Sequence, residues 1–164
     1  MFVEQHPLAV NLDVDVVRSL IGNWRSRVTE AGLLARSMVL AAAEAHLRAG
    51  FDVVIPQYLG VTTFLEQAER LSEHVGARFQ EITLMDTAHN AVRRFFERDR
   101  LAEDPAHRVA QEMVDEAGGV AELVRMYERL QEVIAARPNT QTVWSVDGQP
   151  DRAFRDLLAH VGPD

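Results

Sequence analysis

The order of segments along the chain predicts an α/β protein with a parallel, doubly wound sheet and helices on both faces. Four short segments rich in β-branched residues alternate with longer segments whose residues favour helix. Strands that are joined through helices run parallel, and a parallel sheet needs helices on both of its faces. Because 164 residues fit one compact core, we expect residues 1–164 to form a single domain.

The first half of the chain predicts two strands and three helices. The predicted strands are residues 8–13 and 51–56, and the predicted helices are residues 15–22, 31–49 and 63–75. Gly50 and Gly76 stand where a left-handed C-terminal cap belongs. Thr63 and Glu66 have the spacing of a capping box. Residues 24–29 are polar and are expected to form a mobile connection.

The second half predicts two more strands, at residues 78–85 and 142–146, and four helices. Asp86 or Thr87 is expected to cap the first of these helices, which carries four arginines and ends before the interruption at residues 103–105. The other helices are predicted at residues 107–117, 120–137 and 150–161, the last of them starting with a proline in its first turn.

Composition excludes several kinds of chemistry. The chain contains no cysteine and no lysine, so thiol nucleophiles, disulfides and Schiff-base chemistry are excluded. A net charge of −8 argues against broad nucleic-acid binding, although a local arginine cluster could hold one nucleotide. The six histidines show no pair at metal-ligand spacing. No signal-peptide pattern and no membrane-spanning stretch is recognisable, so the expected location is the cytoplasm.

Residues 11–18, which include Asp13, Asp15 and Arg18, resemble the second strand and following turn of small-substrate kinases in the P-loop superfamily. Relatives of this kind include shikimate, gluconate and polynucleotide kinases, zeta-toxin and chloramphenicol phosphotransferase, and many carry the label of AAA-type ATP-binding proteins. The resemblance implies that Asp15 is the catalytic base for a small hydroxyl substrate. It also implies that Arg18 and Asp13 contact this substrate and that Asp13 lies near Mg²⁺.

Further segments match the same kinase-like family in the same order. Residues 46–55 resemble its step from helix through glycine to strand, which implies that Gln57 and Tyr58 contact the substrate. Arg94 and Arg98 resemble the lid arginines that lie over the phosphates of ATP, in a lid region at about residues 93–118. The resemblance therefore implies ATP and Mg²⁺ as cofactors.

One part of the family pattern is not among these residues. The phosphate-binding loop G-x-x-x-x-G-K-S/T is absent, and Phe2 begins what looks like the end of the helix that follows it. In the family this segment contains the first, central strand, so we expect a truncated domain whose strands at 51–56 and 78–85 have unpaired inner edges. Such open edges would allow self-association. We expect this chain to be inactive or nearly so, because several phosphate-binding donors are missing.

Plainer interpretations of the same residues stay open. Asp13 and Asp15 could be a helix cap and a turn residue, Gln57 and Tyr58 could be ordinary loop residues, and the arginines could lie on a salt-bridged helix face. The leading hypothesis is an ATP-dependent kinase-like phosphotransferase. The alternatives are a non-catalytic remnant that binds a nucleotide or a protein, and a helical interaction protein with a small sheet, which the four predicted strands argue against.

Overall fold

The structure is a computed structural model that describes residues 1–58, 60, 62–99 and 105–162, without the side chains of residues 98, 99 and 105–107. The chain divides into two compact units, Met1–Phe79 and Gln80–Asp164. Each unit contains one pair of parallel strands with helices. The two units are therefore described one after the other.

The first unit contains one parallel strand pair and four α-helices. In chain order its elements are α1 (Phe2–Gln5), β1 (Val10–Asn11), α2 (Val14–Ser19), a 3-10 helix (Trp24–Arg27), α3 (Val28–Arg48), β2 (Val53–Val54) and α4 (Thr63–Val75). β1 pairs in parallel with β2, with Val10 opposite Val53. The backbone N–H of Leu12 extends this short ladder by donating to the Val54 carbonyl at 2.8 Å.

The core of the first unit is built on one face of α3. Ala31, Ala35, Val39 and Ala43 are spaced four residues apart, so they lie in one row along the helix, and all four are buried. Three of them are alanines, which lets neighbouring helices pack closely against α3; α2 and α4 both contact it. The buried cluster at the centre of this packing consists of Val14, Ala35, Val39 and Phe64.

The second unit also contains one parallel strand pair, with four α-helices. Its elements are β3 (Ile82–Met85), α5 (Ala88–Asp99), α6 (Pro105–Glu116), α7 (Val120–Ala136), β4 (Gln141–Trp144) and α8 (Pro150–Val161). β3 and β4 pair in parallel from Ile82 opposite Gln141 to Met85 opposite Trp144. α8 packs on this pair, and α7 contacts both α5 and α6. Its buried apolar residues are Met85, Val109, Val114, Val143 and Ala153.

The predicted fold class, a parallel doubly wound sheet, is wrong. The structure has 64% helix and 8% strand, and its strands form two separate two-stranded parallel sheets. Each predicted strand segment overlaps a strand, but the observed strands are shorter than predicted. Of residues 8–13, only Val10–Asn11 is in a strand, after a left-handed turn at Leu8, where φ is 63°. The alternative of a helical protein with little sheet describes these proportions better.

Local signals for the helix ends had mixed outcomes. Gly50 and Gly76 adopt left-handed conformations at the ends of α3 and α4, with φ of 87° and 74°, as predicted. The capping box was wrong, because Thr62 is the N-cap of α4 and no side chain caps that end. Residues 24–27, expected to be part of a mobile connection, form the 3-10 helix instead.

Both sheets keep free edges. Within the described residues, each strand has a single strand partner, so its other edge is unpaired. Among the described residues, no helix combines the length and apolar composition needed to cross a bilayer.

Candidate functional site

Asp13 connects the end of β1 to the start of α2. Its Oδ1 accepts hydrogen bonds from the backbone N–H groups of Asp15, at 2.8 Å, and Val16, at 3.3 Å. These groups belong to the first turn of α2, where no intrahelical acceptor exists, so the carboxylate caps the helix. The helix-cap interpretation of Asp13 therefore describes its contacts.

Asp15 and Arg18 lie one turn apart on α2 and contact each other. Asp15 Oδ1 is 3.2 Å from Arg18 Nη2, and the side chain of Asp15 is half exposed whereas that of Arg18 is only 14% exposed. Arg18 Nε is buried and has no hydrogen-bond partner among the described residues. The structure thus brings together the predicted base and the predicted substrate arginine, and it leaves one buried donor of the arginine unsatisfied.

The guanidinium groups of Arg18 and Arg25 both lie over the indole ring of Trp24. Its side chain is buried, and the Cζ atoms of Arg18 and Arg25 lie 5.1 Å and 5.0 Å from the centre of its indole ring. Both distances fall in the range of cation–π contacts. Arg25 is exposed and has no carboxylate partner within the described part of the chain. Sequence reasoning did not select Arg25, since its only signal was a position next to a tryptophan.

Gln57 and Tyr58 follow β2 after Pro56. Because β1 and β2 are parallel, their carboxyl ends lie at the same edge of the sheet, so these two residues share that edge with Asp13 and Asp15. Gln57 Nε2 donates to the Tyr58 carbonyl at 3.3 Å. Gln57 Oε1 is buried and finds no hydrogen-bond partner in the described ranges. This edge therefore has a second unsatisfied polar atom.

The carboxylates at this edge already have partners within the protein. Asp13 uses one oxygen as a helix cap, and Asp15 pairs with Arg18. Nowhere in the described residues do three or more His, Cys, Asp or Glu side chains form a group that could hold a metal. A Mg²⁺ site requires near-octahedral oxygen coordination, usually with one or two carboxylates and substrate phosphates. Asp13 therefore caps α2, and its position near Mg²⁺ stays a prediction.

Asp86 is the centre of a buried polar network at the carboxyl end of β3. Its side chain is nearly buried, and its Oδ1 accepts hydrogen bonds from the Thr87 N–H at 2.7 Å and from Asn90 Nδ2 at 2.9 Å. Its other oxygen forms an ion pair with Arg94 on α5. Arg94 also donates to Ser145 Oγ at 3.1 Å, just after β4. One carboxylate therefore connects the ends of both strands to α5.

The environment of Asp86 holds its carboxyl in the charged form. Burial alone would raise the pKa of Asp86, but the hydrogen bonds from Asn90 and Thr87 and the charges of Arg94 and Arg93 outweigh it. The pKa of Asp86 is therefore lowered from its ordinary value. Sequence reasoning had treated this residue only as a candidate helix cap.

The predicted lid arginines have different outcomes. Arg94 forms the ion pair with Asp86, so its guanidinium is held by the protein itself. The neighbouring Arg93 lies 2.6 Å from Asp147 and 3.0 Å from Glu97. Its hydrogen bond to Asp147 lowers the pKa of that carboxyl. The side chain of Arg98 is outside the described residues, as are residues 100–104 of the predicted lid region. The salt-bridged helix face left open as the plainer interpretation describes Arg93 and Arg94.

No protein-family model, no curated protein and no solved structure matches this chain.

An open groove of about 350 Å³ lies in the second unit between β4 and α8. Its lining includes Val143, Trp144, Arg152 and His160. Trp144 is 59% exposed, so the indole contributes an apolar wall without being part of the core. Half of the lining is polar or charged, but its ion pair between Arg152 and Asp156, at 4.0 Å, is exposed. The groove shows no arrangement typical of a catalytic centre.

The lowered pKa of Asp86 predicts a specific acid sensitivity. A carboxyl whose pKa is lower in the folded state stabilises the fold at pH above its ordinary value of 3.8, and this contribution is lost as the pH falls through the folded pKa. Thermal unfolding of the wild type and of Asp86→Asn should therefore differ most near neutral pH. The difference should shrink once the pH is below 3.8. A difference that stays constant through this range would contradict the assignment.

Proposed function

We propose that this chain provides the acceptor side of a kinase-like phosphotransferase that acts on a small hydroxyl substrate. The carrying observation is the edge of the first sheet, where residues following two parallel strands come together. Asp13, Asp15 and Arg18 follow β1, and Gln57 and Tyr58 follow β2. In open sheets of parallel strands, ligands bind beyond the carboxyl ends of the strands.

The polar atoms at this edge support a ligand role more than a purely structural one. Buried polar atoms are nearly always hydrogen-bonded, and each unsatisfied one costs about 1–3 kcal/mol. Arg18 Nε and Gln57 Oε1 are a buried donor and a buried acceptor without partners in the described residues. A bound hydroxyl compound can satisfy both kinds of atom, because a hydroxyl donates and accepts.

Asp15 is the residue with the chemistry and the access to act on such a hydroxyl. Its carboxylate is half exposed, in contrast to that of Asp86, and its contact with Arg18 keeps it near the substrate edge. A carboxylate within hydrogen-bond reach can accept the proton of an attacking hydroxyl as the new bond to phosphorus forms. ATP with Mg²⁺ is the donor in the enzymes that the chain resembles, and the compartment we propose is the cytoplasm, where both are supplied.

Two features of the strands also support the proposal. β1 pairs with β2 and β3 pairs with β4, both in parallel. The kinase-like family that the chain resembles has the strand order 2-3-1-4-5, which implies one pairing of the second with the third strand and another of the fourth with the fifth. The loop G-x-x-x-x-G-K-S/T is not among these 164 residues, so we expect this polypeptide by itself to transfer little or no phosphate.

The test starts from the gene. DNA upstream of Met1 is read for an in-frame glycine loop with lysine, and the product of the whole reading frame is assayed for phosphoryl transfer from ATP to small hydroxyl compounds. Asp15→Asn should lower the rate by about 10²–10³-fold, since it removes the general base. Asp52→Asn, an exposed change at the amino end of β2, is the matched control and should leave the rate unchanged.

Two results would contradict the proposal. One is a stop codon upstream with no glycine loop, and the other is full activity in Asp15→Asn. Tight binding of ATP and Mg²⁺ by the 164-residue chain alone would contradict the expectation that this polypeptide is inactive.

A non-catalytic binding role is the second candidate, and two observations favour it. Arg94 is engaged with Asp86, so it is not available to cover a phosphate. Three large apolar side chains on α3 are exposed, which is a feature of protein-binding surfaces; these are Leu33, Leu34 and Met38. In this case no phosphoryl transfer is expected from any form of the gene product, and Asp15→Asn should change nothing.

A further inference from the structure

We propose that the first unit binds a small oxyanion, a carboxylate or a phosphate group, between Arg18 and Arg25 beside Trp24. Both guanidinium groups lie about the same distance from one indole, at 5.1 Å and 5.0 Å from its centre. The two Cζ atoms are therefore at most about 10 Å apart, the sum of the two distances. Two guanidinium groups on one ring raise the local positive potential, which favours a bound anion.

The carboxylates of the protein balance this charge only in part. Asp15 contacts Arg18 through one terminal nitrogen, which leaves the buried Nε without a partner. Arg25 has no carboxylate partner in the described residues. The next arginine, Arg27, differs because it pairs with Glu30 at 3.0 Å. Thus Arg25 has no carboxylate partner in the described residues, whereas Arg27 of the same 3-10 helix has one.

An oxyanion matches these donors in shape as well as in charge. A guanidinium presents N–H groups in a planar fork that fits the oxygens of carboxylate and phosphate. The buried Nε–H of Arg18 has no hydrogen-bond partner in the described ranges. The buried indole holds both arginines by stacking, which reduces the freedom they lose on binding. A local anion site of this kind is compatible with the net charge of −8, because it depends on contact and not on the long-range field.

The site adjoins the edge to which the acceptor is assigned. The anion site itself is inferred from the contacts at Trp24. That the oxyanion belongs to the acceptor is a separate interpretation, and it rests on the proposed function. If the interpretation holds, the substrate class is a small hydroxyl compound that carries a carboxylate or a phosphate. The anion would compete with Asp15 for Arg18 and would release this carboxylate toward the substrate hydroxyl.

The test uses Trp24 as the reporter. The chain has two tryptophans, so Trp144→Phe leaves the Trp24 emission alone, and Trp144 is exposed enough to tolerate this change. Sodium phosphate and sodium acetate are titrated separately at constant ionic strength. We expect a saturable change in emission with at least one of them. The anion that gives it identifies whether the site prefers phosphate or carboxylate.

Matched variants locate the site. Arg25→Gln and Arg18→Gln should each weaken binding about tenfold, because each removes a charge-assisted contact. Arg27→Gln removes the same charge from the same 3-10 helix and should leave the affinity unchanged. Arg25 is exposed, so its replacement keeps the test valid even if Arg18→Gln disturbs folding.

Asp15→Asn separates this inference from the proposed function. It should strengthen anion binding several-fold by removing the competing carboxylate, while it should lower the rate of phosphoryl transfer in the full gene product by about 10²–10³-fold. The inference is overturned if neither anion gives a saturable change, or if Arg25→Gln binds as tightly as the parent. Such a result contradicts the anion site but is compatible with a phosphotransferase whose acceptor is uncharged. Anion binding without any phosphoryl transfer would contradict the proposed phosphotransferase and support the anion site.

Discussion

Replacing Phe64 by alanine is expected to destabilise the first unit by about 3–5 kcal/mol, the usual range for truncating a buried phenylalanine. The ring is 6% exposed and belongs to the buried cluster with Val14, Ala35 and Val39. α4 carries Phe64 and contacts α3, so the cavity would open at the main helix contact of this unit. Chemical denaturation followed by the emission of Trp24 in a Trp144→Phe background measures the effect.

The matched control for Phe64→Ala is Leu33→Ala. Leu33 lies on α3 and is 61% exposed, so its truncation should change the free energy of unfolding by no more than ~0.5 kcal/mol. Equal effects of the two substitutions would show that the cluster around Phe64 is not the core of the first unit.

Replacing Asp86 by alanine is expected to destabilise the second unit by about 2–4 kcal/mol, since removing one partner of a buried ion pair leaves the other without compensation. The change removes the acceptor for Asn90 and for the Thr87 N–H. Within the described residues, it also leaves Arg94 with its hydrogen bond to Ser145 as the remaining contact. We place the estimate below the full range for a buried pair because the side chain of Arg94 is 34% exposed. Urea denaturation followed by circular dichroism measures it.

Asp147→Ala is the control for Asp86→Ala. It removes a carboxylate that also pairs with an arginine of α5, at 2.6 Å from Arg93, but this side chain is 53% exposed. An exposed ion pair contributes about 0–1 kcal/mol, so this variant should be close to wild type. If Asp147→Ala lowers the free energy of unfolding as much as Asp86→Ala does, burial is not the reason why the network around Asp86 stabilises the second unit.

Helices were predicted well because their signals are local. Pro150 begins α8 as predicted, and Gly50 and Gly76 follow the ends of α3 and α4. The capping box at Thr63 failed for an equally local reason. The helix begins at Thr63 itself, so the cap position falls on Thr62, whose side chain makes no capping hydrogen bond.

Strands were predicted in the right places but with the wrong extent. A strand exists only as far as a neighbour pairs with it, and that neighbour is distant in sequence. Residues 51–56 have the composition of a buried strand, yet only Val53–Val54 pairs with β1. The prediction of one doubly wound sheet assumed that all four predicted strands lie side by side in the same sheet. The described residues form two separate pairs instead.

The candidate site could be predicted in part. Polar residues that follow a strand can be placed at its carboxyl end from sequence, which is why Asp15 and Gln57 were found. The partners of these residues could not be predicted, because spacing along the chain does not show tertiary contacts. Arg25 became a candidate only through its contact with Trp24. Asp86 became one only through Arg94 and Ser145, and three helices separate Ser145 from Asp86 along the chain.

The alanine row on α3 limits how the first unit can change over evolution. Ala35 has no exposed surface, so any larger side chain there would have to displace a neighbouring helix. One of these neighbours is α2, which carries Asp15 and Arg18. Substitutions in this row would therefore reach the candidate site by moving backbone, without touching any of its side chains. Leu34, on the same helix, is more than half exposed, so a different side chain there need not displace a neighbouring helix.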